Sequence, residues 1–454
     1  MTQDLVTERA GGIAQPANAV GAGPPANDTL LTDEHRELIA RIHQRLLQEI
    51  DLSALQKQQP AAARASLEAT ARVLLGQTNS SLYGETKEAV IRAILDDAIG
   101  LGPIQPLVDD PSVSEVMVNS PEEVYFERDG IIYLSGVRFR DASHIMRIVD
   151  RIIAPLGRRV DESVPYVDAR LPDGSRVNIV IPPLIPRSPT ITIRKFRPDM
   201  FSMEDLVANE TIADWMVDFF RACVQYRLNI VVSGGTGTGK TTLLNALSRS
   251  LPEGERIITI EDPIELQLQQ RHKISMEARP ANIEGRNEVS QRDLVRNALR
   301  MRPDRIIVGE VRGAEAFDMM QAMNTGHEGS MTTVHANSAR DALSRIENMI
   351  LMASLDLPVR AIREQLGSAL HLVIHLQRFS DGRRRIVSVS EITGMEGDVV
   401  TMQDIFHFVQ RGVDDDGKVL GDMEATGIRP TFAETLERAG VHFEWTELAM
   451  KAWK

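Results

Sequence analysis

The spacing of apolar residues predicts helices in the first part of the chain. Apolar positions recur every three or four residues over 32–50, and a second, Ala-rich helix opens at Pro60 and runs to about residue 75. We therefore predict a helical bundle over 29–84. Residues 1–28 are rich in Ala, Gly, Pro and Asn and lack large apolar side chains. Because such a segment buries too little surface to offset the entropy of ordering, we predict a disordered tail there.

A smaller α/β domain is predicted over 85–195. Helical periodicity covers 86–100 and 143–153, and short β-rich runs (VSEVMVNS, EVYFE, IIYLS, RVNIVIPP and TITIRKF) lie between and after these helices. Asp129-Gly130 stands where a hairpin would turn. These patterns are typical of a sheet with a few packed helices.

A second α/β domain is predicted over 211–454, after a linker at 196–210. Its β-branched runs (NIVVSG, RIITIE, RIIVGE, SMTTVH and HLVIHL) alternate with helical stretches, the first of them at 213–226. This alternation predicts parallel strands with crossover helices on both faces of one sheet. From about residue 381 we expect a C-terminal elaboration of further strands and helix.

A glycine-rich segment of this second domain matches the phosphate loop. GGTGTGKT fits G-x-x-x-x-G-K-[ST] in full, follows the apolar run NIVVS and precedes the helical run TTLLNALSRSL. Glycines let backbone N–H groups curl around phosphates, and a helix N-terminus adds free donors and positive dipole. The alternative is a Gly-rich turn before a helix. The predicted nucleotide-binding residues are Gly234, Gly235, Thr236, Gly237, Thr238, Gly239, Lys240, Thr241 and Thr242.

The phosphate loop predicts ATP and Mg²⁺ as ligands. We expect Lys240 to bridge the β- and γ-phosphates and the Thr241 hydroxyl to hold Mg²⁺. Two later strands end in acids, Glu261 and Glu310, and strand ends of a parallel sheet meet at the ligand edge. We assign water activation to Glu310. Since Gly309 stands where an Asp is usual, Glu261 is the predicted metal-side carboxylate; alternatively, both acids simply belong to turns.

Two histidines are further candidates. His327 lies in a glycine-bounded loop, and His335 ends the strand SMTTVH. A histidine at a strand end beside a phosphate site can sense the γ-phosphate by donating a hydrogen bond. The alternative is a structural role, which we expect for His371 and His375.

Residues 138–197 form an arginine-rich segment, with twelve basic against six acidic side chains in a chain of net charge -13. Arginine favours bidentate contact with phosphate or carboxylate. We interpret the segment as a source of arginine fingers for the bound nucleotide. A solvated or ion-paired face and a nucleic-acid surface are the alternatives.

The composition excludes several classes of protein. Cys223 is the only cysteine, which rules out an intrachain disulfide and a Cys-based zinc site; its helical spacing among apolar residues predicts a core position. No apolar run approaches the ~20 residues of a membrane helix, and the N-terminus carries acids where a signal peptide is basic. The net charge argues against general nucleic-acid binding. We therefore expect a cytoplasmic protein without direct membrane insertion.

Four blocks now point to a family. GGTGTGKTT, TIEDPIEL, RMRPDRIIVGEVRGAEA and TGHEGSMTTVHANSA occur in this order. They resemble the Walker A, Asp box, atypical Walker B and His box of the secretion-superfamily ATPases of type II and type IV secretion and type IV pili. DARLPDGSRVNIVIPP and TIRKF resemble the segment with which that family's N-terminal domain supplies arginines. The resemblance implies Arg170, Arg176 and Arg194 as nucleotide contacts.

The family resemblance also implies the fold. It points to a RecA-like P-loop ATPase domain with a parallel sheet, preceded by a smaller PAS-like α/β domain and an N-terminal helical bundle. The helical extension and the segment EITGMEGDVVTMQDIFHF are most similar to the Tad/Flp pilus assembly ATPases, the CpaF/TadA branch. That likeness implies a homo-hexameric ring docked on inner-membrane pilus platform proteins, acting indirectly on pilin and without direct nucleic-acid contact.

The sequence thus predicts an Mg²⁺-dependent ATPase motor for Tad-type pilus assembly. We expect ATP between the two α/β domains, with the linker as the hinge of closure. An alternative is a type IV secretion or conjugation-linked ATPase that drives transfer of DNA or protein. A non-hydrolysing nucleotide-gated scaffold is a further alternative, against which the second carboxylate strand argues. A small-molecule kinase shares the phosphate loop, but the Arg-rich domain and the His block do not fit its needs.

Overall fold

The chain divides into two compact units, Met1–Arg197 and Pro198–Lys454. The computed structural model describes residues 31–49, 60–78, 82–128, 131–196, 201–281, 286–353 and 357–438. The predicted disordered tail and the predicted turn at Asp129-Gly130 lie outside these described residues.

The first unit begins with three helices that pack together. They are α1 (Asp33–Glu49), α2 (Pro60–Gly76) and α3 (Gly84–Ile99). Each contributes an apolar stripe to one core, in which Ile42, Leu74 and Ile94 are fully buried. The helices predicted from the apolar spacing are therefore present.

The first unit continues with a six-stranded antiparallel sheet in the order β3-β2-β1-β6-β5-β4. The strands are β1 (Val113–Val118), β2 (Val124–Arg128), β3 (Ile131–Leu134), β4 (Tyr166–Arg170), β5 (Arg176–Val180) and β6 (Thr190–Arg194). A short helix, α4 (Gln105–Asp109), precedes β1, and α5 (Ala142–Ile153) begins after an Asp141 N-cap and shares the buried core with one face of the sheet. β5 and β6 alternate buried and exposed positions, as a sheet covered on one face does.

The second unit is built on a nine-stranded sheet in the order β15-β14-β13-β12-β7-β11-β10-β8-β9. Its strands are β7 (Ile230–Gly234), β8 (Ile257–Glu261), β9 (Lys273–Glu277), β10 (Arg305–Val308), β11 (Met331–His335), β12 (Leu372–Arg378), β13 (Arg384–Glu396), β14 (Val399–Val413) and β15 (Val419–Ala425). β7 to β12 are parallel, and β13 to β15 continue the sheet as antiparallel strands.

Helices cover both faces of this sheet. They are α6 (Met203–Ala208), α7 (Met216–Gln225), α8 (Lys240–Ser248), α9 (Gln291–Ala298), α10 (Glu315–Asn324), α11 (Ala339–Met352), α12 (Val359–Ala369) and α13 (Ala433–Arg438). Along β7, Ile230 and Val232 face a core shared with α7 and α8, whereas Val231 faces a core shared with α9 to α12. The five predicted parallel strands and the RecA-like α/β class are thereby confirmed.

One local feature of the second unit was not specified by the sequence pattern. α6 lies inside the segment predicted as a linker; it begins with a Ser202–Asp205 capping box and buries Met203 and Leu206 in the core of the second unit. Cys223 is fully buried in the same core, as its helical spacing predicts. Within the described ranges, no helix combines the length and apolar character that crossing a membrane requires.

Candidate nucleotide-binding site

The phosphate loop lies between the central strand β7 and the start of α8. Gly239 precedes the helix with a φ of +93°, a left-handed conformation that favours glycine over residues with a Cβ. α8 therefore starts at Lys240 with its first N–H groups directed toward the loop, where a phosphate would find free backbone donors. The predicted strand–loop–helix context is present in full.

The Lys240 side chain folds back over this loop. Its Nζ donates to the carbonyl oxygens of Gly234 and Gly235, at 3.0 and 2.9 Å. Burial lowers the pKa of Lys240, the positive charge of Arg312 lowers it further, and the negative charge of Glu310 acts in the opposite direction. The charges of the Lys240 ammonium and of the Glu310 carboxylate, which we predict to activate water, therefore interact at this edge of the sheet.

Glu261 occupies the space beside Gly309. A Cβ added at Gly309 would lie 2.9 Å from the Glu261 Cγ, closer than side-chain carbons approach. The Glu261 carboxylate therefore fills the position where a longer side chain at 309 would project. This contact gives a physical reason for glycine in place of the Asp that usually ends this strand.

The Glu261 carboxylate is held by backbone donors on one side only. Its Oε2 accepts from the N–H groups of Glu265 and Leu266, at 2.7 and 2.8 Å. Its Oε1 is buried and makes no hydrogen bond to any residue that the structure describes. Burial raises the pKa of Glu261 despite the two backbone N–H groups.

These groups suit a magnesium ion. The described part of the chain has no cluster of three or more His, Cys, Asp or Glu able to hold a metal ion by itself. Mg²⁺ is usually held by one or two protein oxygens together with substrate phosphates. The Thr241 hydroxyl and the unpartnered Glu261 oxygen are donors of this kind, so the residues present fit the predicted ligands.

Glu310 is fixed by an arginine two residues along the chain. Nε and Nη2 of Arg312 both donate to Glu310 Oε2, at 2.9 and 2.6 Å. The backbone N–H groups of Arg312 and Gly313 in turn donate to Oε1 of the buried Glu315 at the start of α10, at 2.6 and 2.8 Å. The Glu310 carboxylate therefore has a defined orientation at the end of β10.

The two predicted histidines lie at opposite ends of β11. His335 is the register partner of Gly234 on the neighbouring β7, which places it beside the phosphate loop. His327 precedes β11, in a loop where Ser330 Oγ donates to the His327 carbonyl, and the five residues of β11 span about 16 Å. Of these two histidines, His335 is therefore the one that lies at the phosphate edge of the second unit.

His375, expected to be structural, also lies close to the phosphate loop. Its Nδ1 is 2.9 Å from the Oγ of Ser233, the residue immediately before Gly234, and both side chains are buried. Burial lowers the pKa of His375. The imidazole thus supports the end of β7 on the side opposite β11.

The three predicted arginines form one row across the sheet of the first unit. Arg170 pairs with Arg176 across β4 and β5, and Arg176 pairs with Arg194 across β5 and β6. Direct cross-strand partners project on the same face, which here is the face opposite the buried core. Arg194 also forms a 2.9 Å ion pair with Glu115 on β1. Three guanidinium groups therefore lie side by side on this face, and that of Arg194 is paired with a carboxylate.

Comparison with known proteins identifies the family to which the chain belongs. The family described as Type II/IV secretion system protein matches residues 97–413, well over half of the chain. The chain belongs to this family. With a complete phosphate loop, this secretion-family protein is an ATPase. The match begins near the end of α3, so α1 and α2 lie outside it.

Named relatives of this secretion ATPase come from several bacteria. A Mycobacterium tuberculosis protein, "Putative conjugal transfer protein", is 36% identical over 341 residues, covering 74% of this chain and 96% of its own. The type IV secretion system protein VirB11 of Brucella suis is 33% identical over 330 residues, covering 66% and 91%. Among solved structures, the VirB11 ATPase from Brucella suis in complex with sulphate shows 31% identity over 63% of this chain and 94% of that chain, with a TM-score of 0.35.

Sequence reasoning missed two side chains of this secretion ATPase that contact predicted site residues. Arg312 holds Glu310, and its place two residues after the strand-end acid is a usable signal. Glu265 lies beside the phosphate-loop threonine: Thr241 Oγ1 donates to Glu265 Oε2 at 3.4 Å. The TIEDPIEL block contains this second glutamate, but only the tertiary structure shows which of its acids faces Thr241.

Proposed function

We propose that this secretion ATPase is an Mg²⁺-dependent motor of a type IV secretion or conjugal-transfer machine. The relatives named for conjugal transfer and type IV secretion support this class of machine. The observation that carries the enzymatic part is the convergence of Lys240, Thr241, Glu261 and Glu310 at one edge of the parallel sheet. We further propose a homo-hexamer on the cytoplasmic side of the inner membrane, acting through membrane partners.

In this proposal each residue of the phosphate edge has a defined task. The loop amides and Lys240 bind the triphosphate, and Glu310 accepts the proton of the attacking water. Thr241 and Glu261 hold the metal side of the site, where bound Mg²⁺ supplies charge neutralisation of the phosphates. His335, beside Gly234, senses the terminal phosphate.

The arginine row of the first unit completes the charge balance. Arg170, Arg176 and Arg194 place three guanidinium groups side by side, and a nucleotide phosphate would accept charge-assisted hydrogen bonds from them. Nucleotide binding therefore favours any arrangement that brings the row to the phosphates, of this copy or of a neighbour in a ring. We propose that this differential affinity converts hydrolysis into motion. His327 lies away from the phosphate edge of its own unit, so a contact of His327 with nucleotide would have to occur at another surface.

Tad-type pilus assembly is the second candidate. It is favoured by the helices α1 and α2, which lie outside the family match, and by the segment EITGMEGDVVTMQDIFHF, which forms parts of the long strands β13 and β14. In this version the motor acts on pilin through inner-membrane platform proteins.

Assays of the purified protein and of complemented strains test the proposal. Purified full-length protein should hydrolyse ATP only with Mg²⁺, and Lys240→Ala should abolish nucleotide binding; hydrolysis that survives this change would refute the assigned site.

A strain lacking the protein, complemented with wild type or Lys240→Ala, should then be assayed for DNA or protein transfer and for surface pili. Loss of transfer with intact pili supports the type IV secretion class, and loss of pili with intact transfer supports the Tad candidate. Steep, salt-sensitive stimulation of hydrolysis by DNA would indicate direct nucleic-acid contact.

A further inference from the structure

Gln291 lies between the ends of two strands that carry site acids. It is the first residue of α9, whose start is fixed by a capping box between Ser290 and Asp293. Its carboxamide NH₂ donates to the carbonyl oxygen of Glu310 at 3.0 Å, and its carbonyl oxygen accepts from the N–H of Asp262 at 3.3 Å. This orientation of the amide is the one that satisfies both neighbours, because a backbone carbonyl only accepts and an N–H only donates.

The Gln291 side chain supplies hydrogen bonds just beyond the point where backbone hydrogen bonding between β8 and β10 ends. β8 and β10 pair in parallel up to Ile260 and Val308, and the Gly309 N–H still donates to the Ile260 carbonyl at 2.9 Å. Beyond that point the segments that follow β8 and β10 continue into loops, and the Gln291 side chain joins Asp262 to Glu310. One side chain therefore ties together the two loops that follow the predicted metal-side and water-activating acids.

The remaining backbone around Glu310 is fixed from the other side. On β11, the Thr333 Oγ1 donates to the Gly309 carbonyl at 2.7 Å, and the Thr333 backbone carbonyl accepts from the Val311 N–H at 3.0 Å. The hydrogen bond from Gln291 to the Glu310 carbonyl therefore restrains the orientation of the peptide group of Glu310 itself. Loss of that contact would leave Arg312 to orient the carboxylate from a less constrained backbone.

We propose that Gln291 is a positioning residue for Glu310. By joining the backbone of Glu310 to that of Asp262, it keeps the Glu310 carboxylate in a fixed position. This inference rests on the proposed catalytic role of Glu310. Gln291 touches neither substrate nor metal in this proposal and acts only through the backbone of its two neighbours. Its removal should therefore lower the turnover number and leave nucleotide affinity nearly unchanged.

The test compares Gln291→Met, Gln291→Glu and the control Asn297→Ala in the full chain. Methionine keeps the length of the side chain but neither hydrogen bond; glutamate keeps the acceptor for Asp262 and loses the donor for Glu310, and it suits the helix N-terminus electrostatically. We expect both Gln291 variants to lower kcat about tenfold, with the Kd for a fluorescent ATP analogue changed by less than about twofold. Asn297, exposed on the same helix, should tolerate alanine with unchanged kcat.

A double-mutant cycle separates positioning from a general loss of structure. In the Glu310→Gln background, Gln291→Met should change the residual turnover by less than about twofold, because the group it positions is already gone. A full tenfold further loss there, or wild-type kcat in both Gln291 single variants while Glu310→Gln is inactive, would overturn this inference alone. Wild-type turnover by Glu310→Gln would overturn the catalytic assignment together with the inference built on it.

Discussion

Arg312 and Glu310 form a two-pronged ion pair at the end of β10. Both guanidinium nitrogens that take part donate to the same carboxylate oxygen, Oε2, which leaves the other oxygen of Glu310 available to a water molecule. The Arg312 side chain is itself 62% exposed, whereas its backbone is held by the buried Glu315. Glu310 is therefore oriented by a neighbour whose own main chain is anchored in the fold.

The first prediction concerns Arg312. Arg312→Gln should lower kcat about tenfold because the carboxylate loses its fixed orientation, with little effect on nucleotide affinity. Arg312→Lys should recover only part of the activity, since an ammonium cannot make the paired contact. Steady-state hydrolysis and equilibrium binding measure both quantities. Faster turnover in Arg312→Gln would instead show that the ion pair restrains Glu310.

The second prediction concerns Glu310. Glu310→Gln should bind ATP like wild type and lose about 10²–10⁴-fold in kcat, because the amide cannot accept the proton of the attacking water. Glu424→Gln, at a glutamate of β15 paired with Arg411, is the matched control and should keep full turnover. Wild-type steady-state hydrolysis by Glu310→Gln would remove this residue from the catalytic role.

The third prediction concerns the arginine row. Arg170→Ala and Arg176→Ala should each lower hydrolysis about 10²-fold with little change in the thermal unfolding midpoint, because both residues lie on the face of the sheet opposite the buried core. Arg159→Ala, at a highly exposed arginine paired with Asp161 in the same unit, serves as the control. Intact hydrolysis in both row variants would return these arginines to a solvated surface role.

The fourth prediction concerns the contact of Gly309 with Glu261. Gly309→Ala should destabilise the protein by about 1–3 kcal/mol because its Cβ overlaps the Glu261 Cγ. Glu261→Ala removes that carbon but also leaves the N–H groups of Glu265 and Leu266 without their acceptor, so the loss in the double variant should be smaller than the sum of the two single losses. Urea unfolding of the four proteins completes the cycle. Additive losses in the double variant would show that the two side chains do not compete for this space.

The fifth prediction is a pH dependence of stability. Glu210 is ion-paired with Arg383, Lys418 and Arg385, which lower its pKa to about 2 from an ordinary value of 4.5. The ion pairs therefore stabilise the folded state fully above about pH 4.5, and this contribution is lost as the pH falls toward 2. Because Glu210 is half-exposed, solvent screening keeps the effect modest.

Glu210→Gln measures this contribution. The variant should unfold at a lower temperature than wild type at pH 7, and the difference should shrink between pH 5 and pH 3. Arg411 and its partners on β14 and β15 form an exposed comparison cluster, in which Asp422→Asn should have a smaller effect at pH 7. A difference between wild type and Glu210→Gln that grows on acidification would contradict the assignment of the pKa shift.

Much of the second unit could be predicted because its signals are local. The five predicted parallel strands are continuous apolar runs, since both faces of each strand are buried, and the phosphate loop carries its glycines and lysine within eight residues. β4 and β9 were not specified, because their exposed positions break the apolar runs. α6 was assigned to the linker although its capping box is visible in the sequence.

The candidate site was predictable as a set of residues but only partly as an arrangement. His327 and His335 are close in the sequence, yet β11 separates them because an extended strand moves its ends far apart. The arginine row depends on the register of three strands, and the Glu261–Gly309 contact depends on two strands that lie side by side only after folding. Register and neighbouring strands are decided by packing between distant segments.

The sequence by itself determined the two α/β segments, the phosphate loop and the acids that end β8 and β10, because backbone preference, apolar periodicity and short motifs act over a few residues. Only the tertiary structure decided that Arg312 holds Glu310, that Glu261 fills the space beside Gly309, and that Gln291 joins the two strand ends. Those relationships depend on the order and register of strands, which result from burying apolar faces contributed by residues far apart in the chain.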